Sequence, residues 1–270
     1  MSLFFMPHFL LDENISLLLI PMDLFSEQDL SVLVQKNKIV TSEFTNHISN
    51  CQSQKRRKEL LLSRLLFLYI MQTNPVNIRY YNSIKREEEI LHNNFFSTPP
   101  QTIFLSIAHT DKWMILALYP KSPVGIDIEN SRRKTEKIKQ YLNEKNYLNG
   151  LDESPGISLI LWTVYESLYK LKSPVEKRKK ILNKVLSIIK ENLPQKLNDF
   201  NFWTIPAYEY IIFIWKDETT PITGCLIVKD TISGKIKFYS IGKLEEEIKK
   251  PCKIELTRLL TCNAKLEISS

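Results

Sequence analysis

The chain has 270 residues, 43% of them hydrophobic, enough for a substantial buried core in one large domain or two small lobes. Six glycines, with no G-x-G-x-x-G and no G-x-x-x-x-G-K, argue against a glycine-cradled nucleotide fold, and no apolar run approaches the ~20 residues that span a bilayer. The net charge of +7 favours an anionic partner, whether nucleic acid, an acidic protein or a phosphorylated small molecule, without choosing among them.

The start of the chain is apolar in places but broken by Pro7, His8, Asp12, Glu13 and Asn14, and no basic stretch precedes it. It reads as a buried hairpin, with strands Phe9–Leu11 and Ile15–Ile20, rather than a signal peptide. Ser26 is placed to cap a short helix through Leu33, and Ser53 a stronger one that Asn74-Pro75 stops. Tyr80 to Pro100 is polar and reads as loop. Ile103–Ala108, Trp113–Tyr119 and Val124–Glu129 have the length and turn punctuation of strands.

Lys134–Tyr147 is charged and helical in pattern. Leu151 to Gly156 reads as a loop, followed by a long, partly buried helix over Ile157–Leu171 and, after Pro174, another from Val175 to Asn192. Beyond Pro194 the signal turns to strands: Tyr208–Trp215, then Thr223–Val228 and Lys235–Tyr239 as a hairpin about Ser233-Gly234. Lys243–Lys249 reads as a last short helix. The run Tyr208–Trp215 is similar in character to Trp113–Tyr119, which hints at a duplicated α+β unit. Cys51, Cys225, Cys252 and Cys262 show no C-x-x-C spacing and are too sparse for a disulfide framework, which argues against a zinc site and fits a reducing compartment.

Three groups of residues carry possible chemistry. In the strand Val124–Glu129, Asp127 and Glu129 fall on one face and Ile126 and Ile128 on the other. Two carboxylates on one face repel unless a cation sits between them, and hard oxygen ligands suit magnesium; the plainer reading is a solvated strand end. Glu166 and Lys170 share a face of an unusually apolar helix; the plainer reading is an ordinary surface pair. His109 follows the strand Ile103–Ala108, where a side chain can approach a ligand or simply complete the packing. Lys55-Arg56-Arg57-Lys58 opens a helix, where a docked anion or solvent would offset the unfavourable dipole; Lys177-Arg178-Lys179-Lys180 also opens one and reads equally as a solvated face or a docking patch for an acidic partner.

In order and spacing, Ile107-Ala108-His109-Thr110, then Gly125-Ile126-Asp127-Ile128-Glu129, then Trp162-Thr163-Val164-Tyr165-Glu166-Ser167-Leu168-Tyr169-Lys170 resemble the Sfp-like class of 4'-phosphopantetheinyl transferases. The helix with Arg56-Arg57 and Ser63-Arg64 also looks like that family's early helix, and the resemblance runs from about Met6 to Leu171. It implies an α+β fold of two pseudo-symmetric lobes, each a small antiparallel sheet with a long helix, here 1–120 and 121–270. It implies transfer of the phosphopantetheine arm of coenzyme A to a serine of an acidic acyl or peptidyl carrier protein, by a monomeric cytoplasmic enzyme that binds neither nucleic acid nor membrane.

By the same resemblance Asp127, Glu129 and Glu166 ligate Mg²⁺, and Glu166 or a metal-bound water accepts the serine proton. Lys170 and His109 contact coenzyme A phosphates, and Arg56, Arg57 and Arg64 are candidates for the nucleotide phosphate. The sequence departs from the family at Tyr165, where a lysine is usual, and at Ala108, where a serine is usual. Asn82-Ser83-Ile84-Lys85 stands about where the family has Gly-Lys-Pro, and the tail after Val175 is also unlike it. These departures leave a second expectation open: a non-catalytic relative that binds coenzyme A or a carrier protein. Nucleic-acid binding is a third, resting on charge alone.

Overall fold

In the computed structural model, which describes residues 15–36, 46, 48–82, 87–92, 101–147, 155–192, 202–217, 222–229, 236–240 and 252–255, apolar side chains alternate along the central strands between separate cores. The first part runs β1 (Ile15–Pro21), a single 3₁₀ turn, α1 (Glu27–Lys36), α2 (Gln54–Thr73), β2 (Val76–Asn82), β3 (Glu87–Leu91), β4 (Gln101–His109) and β5 (Trp113–Tyr119). The second runs β6 (Val124–Asn130), α3 (Glu136–Glu144), α4 (Pro155–Lys170), α5 (Val175–Asn192), β7 (Phe202–Ala207), β8 (Tyr210–Asp217) and β9 (Ile222–Lys229). β10 (Ile236–Ser240) and β11 (Cys252–Glu255) follow.

This is an α+β protein with two sheets. The larger is built on β1-β5-β4-β2-β3 and is extended beyond β1 by β10 and β11; the smaller has the order β6-β9-β8-β7 and is antiparallel throughout. The larger sheet is not the small antiparallel one expected. β2 runs parallel to β4, and β10 parallel to β1. The expected division at residue 120 falls between β5 and β6, yet β10 and β11, far beyond it, join the first sheet.

Period-two alternation makes the layers. In β1 and β5, Leu18, Ile20, Met114, Leu116 and Leu118 pack with Leu62, Leu66 and Ile70 of α2. Their neighbours Leu17, Leu19, Ile115 and Ala117 turn to the other face and meet Ile126, Ile128, Phe213 and Leu226 of the smaller sheet. The far face of the smaller sheet, with Ile212, Ile214, Cys225 and Ile227, packs on α4 and α5 through Leu161, Val164, Leu168, Leu182 and Val185. The order of layers is therefore helix, sheet, sheet, helix.

The caps and stops follow the sequence. Ser26 Oγ accepts from Asp29 N at 3.0 Å and Ser53 Oγ from Arg56 N at 3.3 Å, while α2 ends at Asn74, before Pro75. Two expectations need correction. The stretch after Tyr80 is not all loop: Tyr80 and Tyr81 belong to β2, which pairs with β3 as an antiparallel ladder. β9 and β10 are strands but not a hairpin. β9 is a central strand of the smaller sheet and β10 joins β1 in the larger, because β9 already has β6 on one side and β8 on the other. The expected strand Phe9–Leu11 and helix Lys243–Lys249 lie outside the described residues, as does most of the expected loop 151–156. No helix among the described residues is long and apolar enough to cross a membrane.

Candidate active site

β6 carries its acids toward α4 and its isoleucines into the core between the sheets. Ile126 and Ile128 are fully buried there, which leaves Gly125, Asp127 and Glu129 on the helix side. Gly125 makes the approach possible, since a Cβ at that position would stand 2.2 Å from the Ser167 carbonyl oxygen of α4. Ser167 Oγ also donates to Cys225 O at 3.0 Å, tying α4 to β9, and Ile126 N donates to Ser106 Oγ at 3.1 Å, tying β6 to β4.

A cavity of about 340 Å³ opens between α2, β2, β4, β6 and α4. It brings together Arg56 and Arg64 from α2, His109 from β4, Asp127 from β6 and Glu166 and Lys170 from α4. Six of the eight candidates singled out in the sequence thus line one space. Arg57 does not: its guanidinium donates to both oxygens of Glu27 at 2.6 and 3.3 Å and to Cys51 O at 2.6 Å, fastening the start of α2 to α1. Glu129 does not either. Its Oε1 accepts from Arg133 and, at 3.0 Å, from Trp162 Nε1.

At the cavity floor, Lys170 Nζ donates to Ile126 O at 2.7 Å and to Asp127 Oδ1 at 3.0 Å. Asp127 Oδ2 is buried with no hydrogen-bond partner among the described residues. Burial pushes the Asp127 carboxyl up to about 7, with the nearby Glu166 and Glu129 adding to the rise and Lys170 opposing it. Burial raises Glu166 too, again against the pull of Lys170.

At the cavity rim, Glu59, a buried acid of α2, accepts from Arg56 at 2.9 Å and faces His109 Nδ1 at 3.0 Å. Arg56 also reaches His109 Nε2 at 3.2 Å. An arginine only donates, so Nε2 is the acceptor and Nδ1–H the donor to Glu59. The imidazole is held neutral: burial, then the positive charges of Lys170, Arg56 and Lys55, lower it to about 3.

Sequence reasoning passed over Glu59, whose signal is one acid at the edge of the run Leu60-Leu61-Leu62, three residues from Arg56. It also passed over Tyr81 and Tyr169, which line the cavity and meet edge to face with centroids 5.9 Å apart. Two other residues sit elsewhere than expected. Tyr165 faces away from the cavity into the core: its hydroxyl bonds that of Tyr141 at 2.9 Å, and its ring stacks on Trp162 at 5.3 Å. Arg178, from the second basic cluster, is buried, donating to Ser173 O and Tyr147 Oη at 2.9 and 3.1 Å and lying over the rings of Tyr147, Tyr165 and Tyr169.

A hard cation fits Asp127 and Glu166 in chemistry. Asp127 is buried and Glu166 half-buried in one cavity, and the orphaned Asp127 Oδ2 is available as the kind of ligand magnesium takes. Glu129, held by Arg133 and Trp162, does not complete the set. Among the described residues, no three His, Cys, Asp or Glu side chains are grouped closely enough to hold a metal ion. No protein-family model matches the sequence, and no curated protein matches it either.

Proposed function

We propose that the chain is a 4'-phosphopantetheinyl transferase, moving the phosphopantetheine arm of coenzyme A onto a serine hydroxyl of an acidic carrier protein. The observation that carries this reading is one cavity, bounded by α2, β2, β4, β6 and α4, where Asp127, Glu166, Lys170, His109, Arg56 and Arg64 converge from four separate elements. That combination, two acids at the floor and basic groups around them, suits a substrate with several phosphates. The layered architecture, with a long helix on the outer face of each sheet, is compatible with two pseudo-symmetric lobes.

In this reading Asp127 and Glu166 would hold Mg²⁺, and Glu129 could join them only by leaving Arg133 and Trp162. The metal, when bound, supplies charge stabilisation to the pyrophosphate. Arg56 and Arg64 orient the phosphates from α2, and His109, kept neutral and hydrogen-bonded, adds a fixed wall beside them. Glu166 accepts the proton of the serine hydroxyl. The serine oxygen then forms its bond to phosphorus as the bond to the nucleotide half of coenzyme A breaks. An acidic carrier is suited to the basic surface, and the expected monomeric state and cytoplasmic location belong to the same proposal.

The second reading, a relative that binds coenzyme A or a carrier without turnover, draws on Lys170, which covers Asp127, and on Arg133, which engages Glu129. One experiment separates the two. The protein is incubated with coenzyme A, Mg²⁺ and a panel of acidic apo carrier proteins, and the carriers are weighed by intact mass spectrometry. Gain of one phosphopantetheine, lost in Glu166→Ala, supports the transferase. Coenzyme A binding in calorimetry with no gain on any carrier supports the second reading, and no binding at all removes both.

A further inference from the structure

Beside the main cavity lies a second, of about 190 Å³, which shares Tyr80, Tyr81, Ser106 and Lys170 with it. Its own walls include Arg79 of β2, Phe104 of β4, Glu88 of β3 and Lys172 just past α4. We propose that this second cavity is a binding subsite for a phosphate group, separate from the site of the proposed transfer reaction.

Charge is the first argument. Lys170 is already paired with Asp127, but Arg79 and Lys172 meet a single lining acid, Glu88, so the space is net positive. Neither private cation is neutralised by a salt bridge among the described residues. Each rests on an aromatic ring instead, Arg79 Cζ 5.6 Å from the Phe104 centroid and Lys172 Nζ 5.7 Å from that of Tyr81. A ring face holds a cation but accepts none of its N–H bonds in the usual way, so the donors stay available to an oxyanion.

The second argument is an unmet donor. Arg79 Nε is buried and has no hydrogen-bond partner among the described residues. A buried N–H without an acceptor is costly, and a phosphate oxygen in the adjoining space would satisfy it.

The third is the backbone at Lys172. Helix α4 closes with Lys172 N donating to Tyr169 O at 2.9 Å and Ser173 N to Leu168 O at 3.1 Å. That pair of bonds puts Lys172 at the position where glycine is the usual resident, and its φ is 53°. A lysine in the left-handed region is strained there where glycine is not. The lysine sets an ammonium at the cavity wall, which glycine cannot do, and strain retained at such a point is a mark of use.

The inference does not rest on the transferase reading, because its test uses inorganic phosphate alone. The full chain is titrated with phosphate in a calorimeter, as wild type and as Arg79→Met, Lys172→Gly, Arg56→Met and Lys137→Met. Arg79→Met and Lys172→Gly are each expected to weaken phosphate by about tenfold, and Lys137→Met, at an exposed position of α3 that lines neither cavity, to leave it unchanged. Lys172→Gly is also expected to raise the melting temperature, so its loss of binding is not loss of fold. Phosphate binding that survives both substitutions, or is lost only in Arg56→Met, or is absent from the wild type at millimolar concentration, overturns the proposal. Adding coenzyme A to the phosphate complex then identifies the source. Release of phosphate assigns the subsite to a phosphate of a ligand reaching in from the main cavity, and retention assigns it to a separate small ligand; both keep the subsite.

Discussion

Lys170 Nζ lies 3.0 Å from Asp127 Oδ1, and the pair is largely closed off from solvent between α4 and β6. Among the described residues, the ammonium is the one cation that touches this carboxyl, which burial and two neighbouring acids push toward the neutral form. Taking away one partner of a buried pair leaves the other charge uncompensated, at a cost of about 3 kcal/mol. Lys170→Met is therefore expected to lose about that much in urea melts at pH 8, and the double variant Asp127→Asn/Lys170→Met clearly less. At pH 5, where Asp127 in the variant takes a proton, the loss should shrink. An equal loss at both pH values would mean that packing, not the ion pair, is what Lys170 supplies.

Magnesium separates the three acids. A ligand that binds only the folded state raises the melting temperature by mass action. Mg²⁺ is expected to raise it for the wild type and for Glu129→Gln, and to leave Asp127→Asn and Glu166→Gln unmoved. Arg133→Ala, which removes a bond from Glu129, is expected to tighten Mg²⁺ in a calorimetric titration. Tightening that disappears in the double variant Glu129→Gln/Arg133→Ala traces the effect to the freed acid.

Gly125 fixes how closely β6 and α4 approach. In Gly125→Ala the new methyl meets the Ser167 carbonyl, backbone that cannot turn aside, so strand and helix must separate. The expected cost is about 3 kcal/mol, the upper part of the range for overpacked cores. Because Asp127 and Glu166 ride on those two elements, Mg²⁺ affinity should fall with it. A variant as stable as the wild type in urea would show that the contact yields more easily than the geometry implies.

A lysine at 165 looks like a repair toward the family pattern, and the structure argues otherwise. Tyr165 is buried among Tyr141, Tyr147 and Trp162, with the Arg178 guanidinium over its ring. Tyr165→Lys puts an ammonium beside that guanidinium inside the core. It is expected to destabilise by more than about 3 kcal/mol and to gain no transferase activity. Soluble, wild-type-like melting together with a gain of activity would refute this.

His109 gives a pH signature. Its imidazole is lowered to about 3 from an ordinary 6.5, because it is buried and sits near Lys170 and Arg56. Protonation at Nε2 would also set two N–H donors against each other across the 3.2 Å gap to Arg56. Between those values the unfolded chain binds a proton that the folded one refuses, so this group's contribution is complete above about 6.5 and is lost as the pH falls toward 3. His109→Gln is expected to flatten the fall of stability between pH 6 and 4, measured by urea melts. A slope unchanged by the substitution would place the proton uptake elsewhere.

What the sequence reveals and what it hides divide along physical lines. Alternation and caps are local: Ile126 and Ile128 against Asp127 and Glu129, and Ser26 and Ser53 before their helices, can be read from a few neighbouring letters. The convergence of His109, Asp127, Glu166 and Lys170 was open to motif spacing. The fates of Glu129 and Arg57 were not, because Arg133 and Glu27 bind them by choices of rotamer that spacing does not carry. Arg178 looked like surface because it stands in a run of lysines, yet Tyr147, Tyr165 and Tyr169 enclose it from two different elements. The hairpin expected at Ser233-Gly234 failed for a related reason. Turn residues mark a reversal, but which sheet receives the next strand depends on which edges are already occupied.

The parallel pairing of β1 with β10 sets a schedule for making the protein. Ile15 meets Ile236 across about 220 residues of chain, so on the ribosome β1 emerges long before its outer neighbour exists. At ~5–20 residues per second that interval is tens of seconds. Through it, a strand whose every residue is buried in the finished fold offers one open row of N–H and C=O groups to whatever strand comes near. The nascent chain is thus exposed to wrong pairing along β1 until β10, made much later, closes that edge.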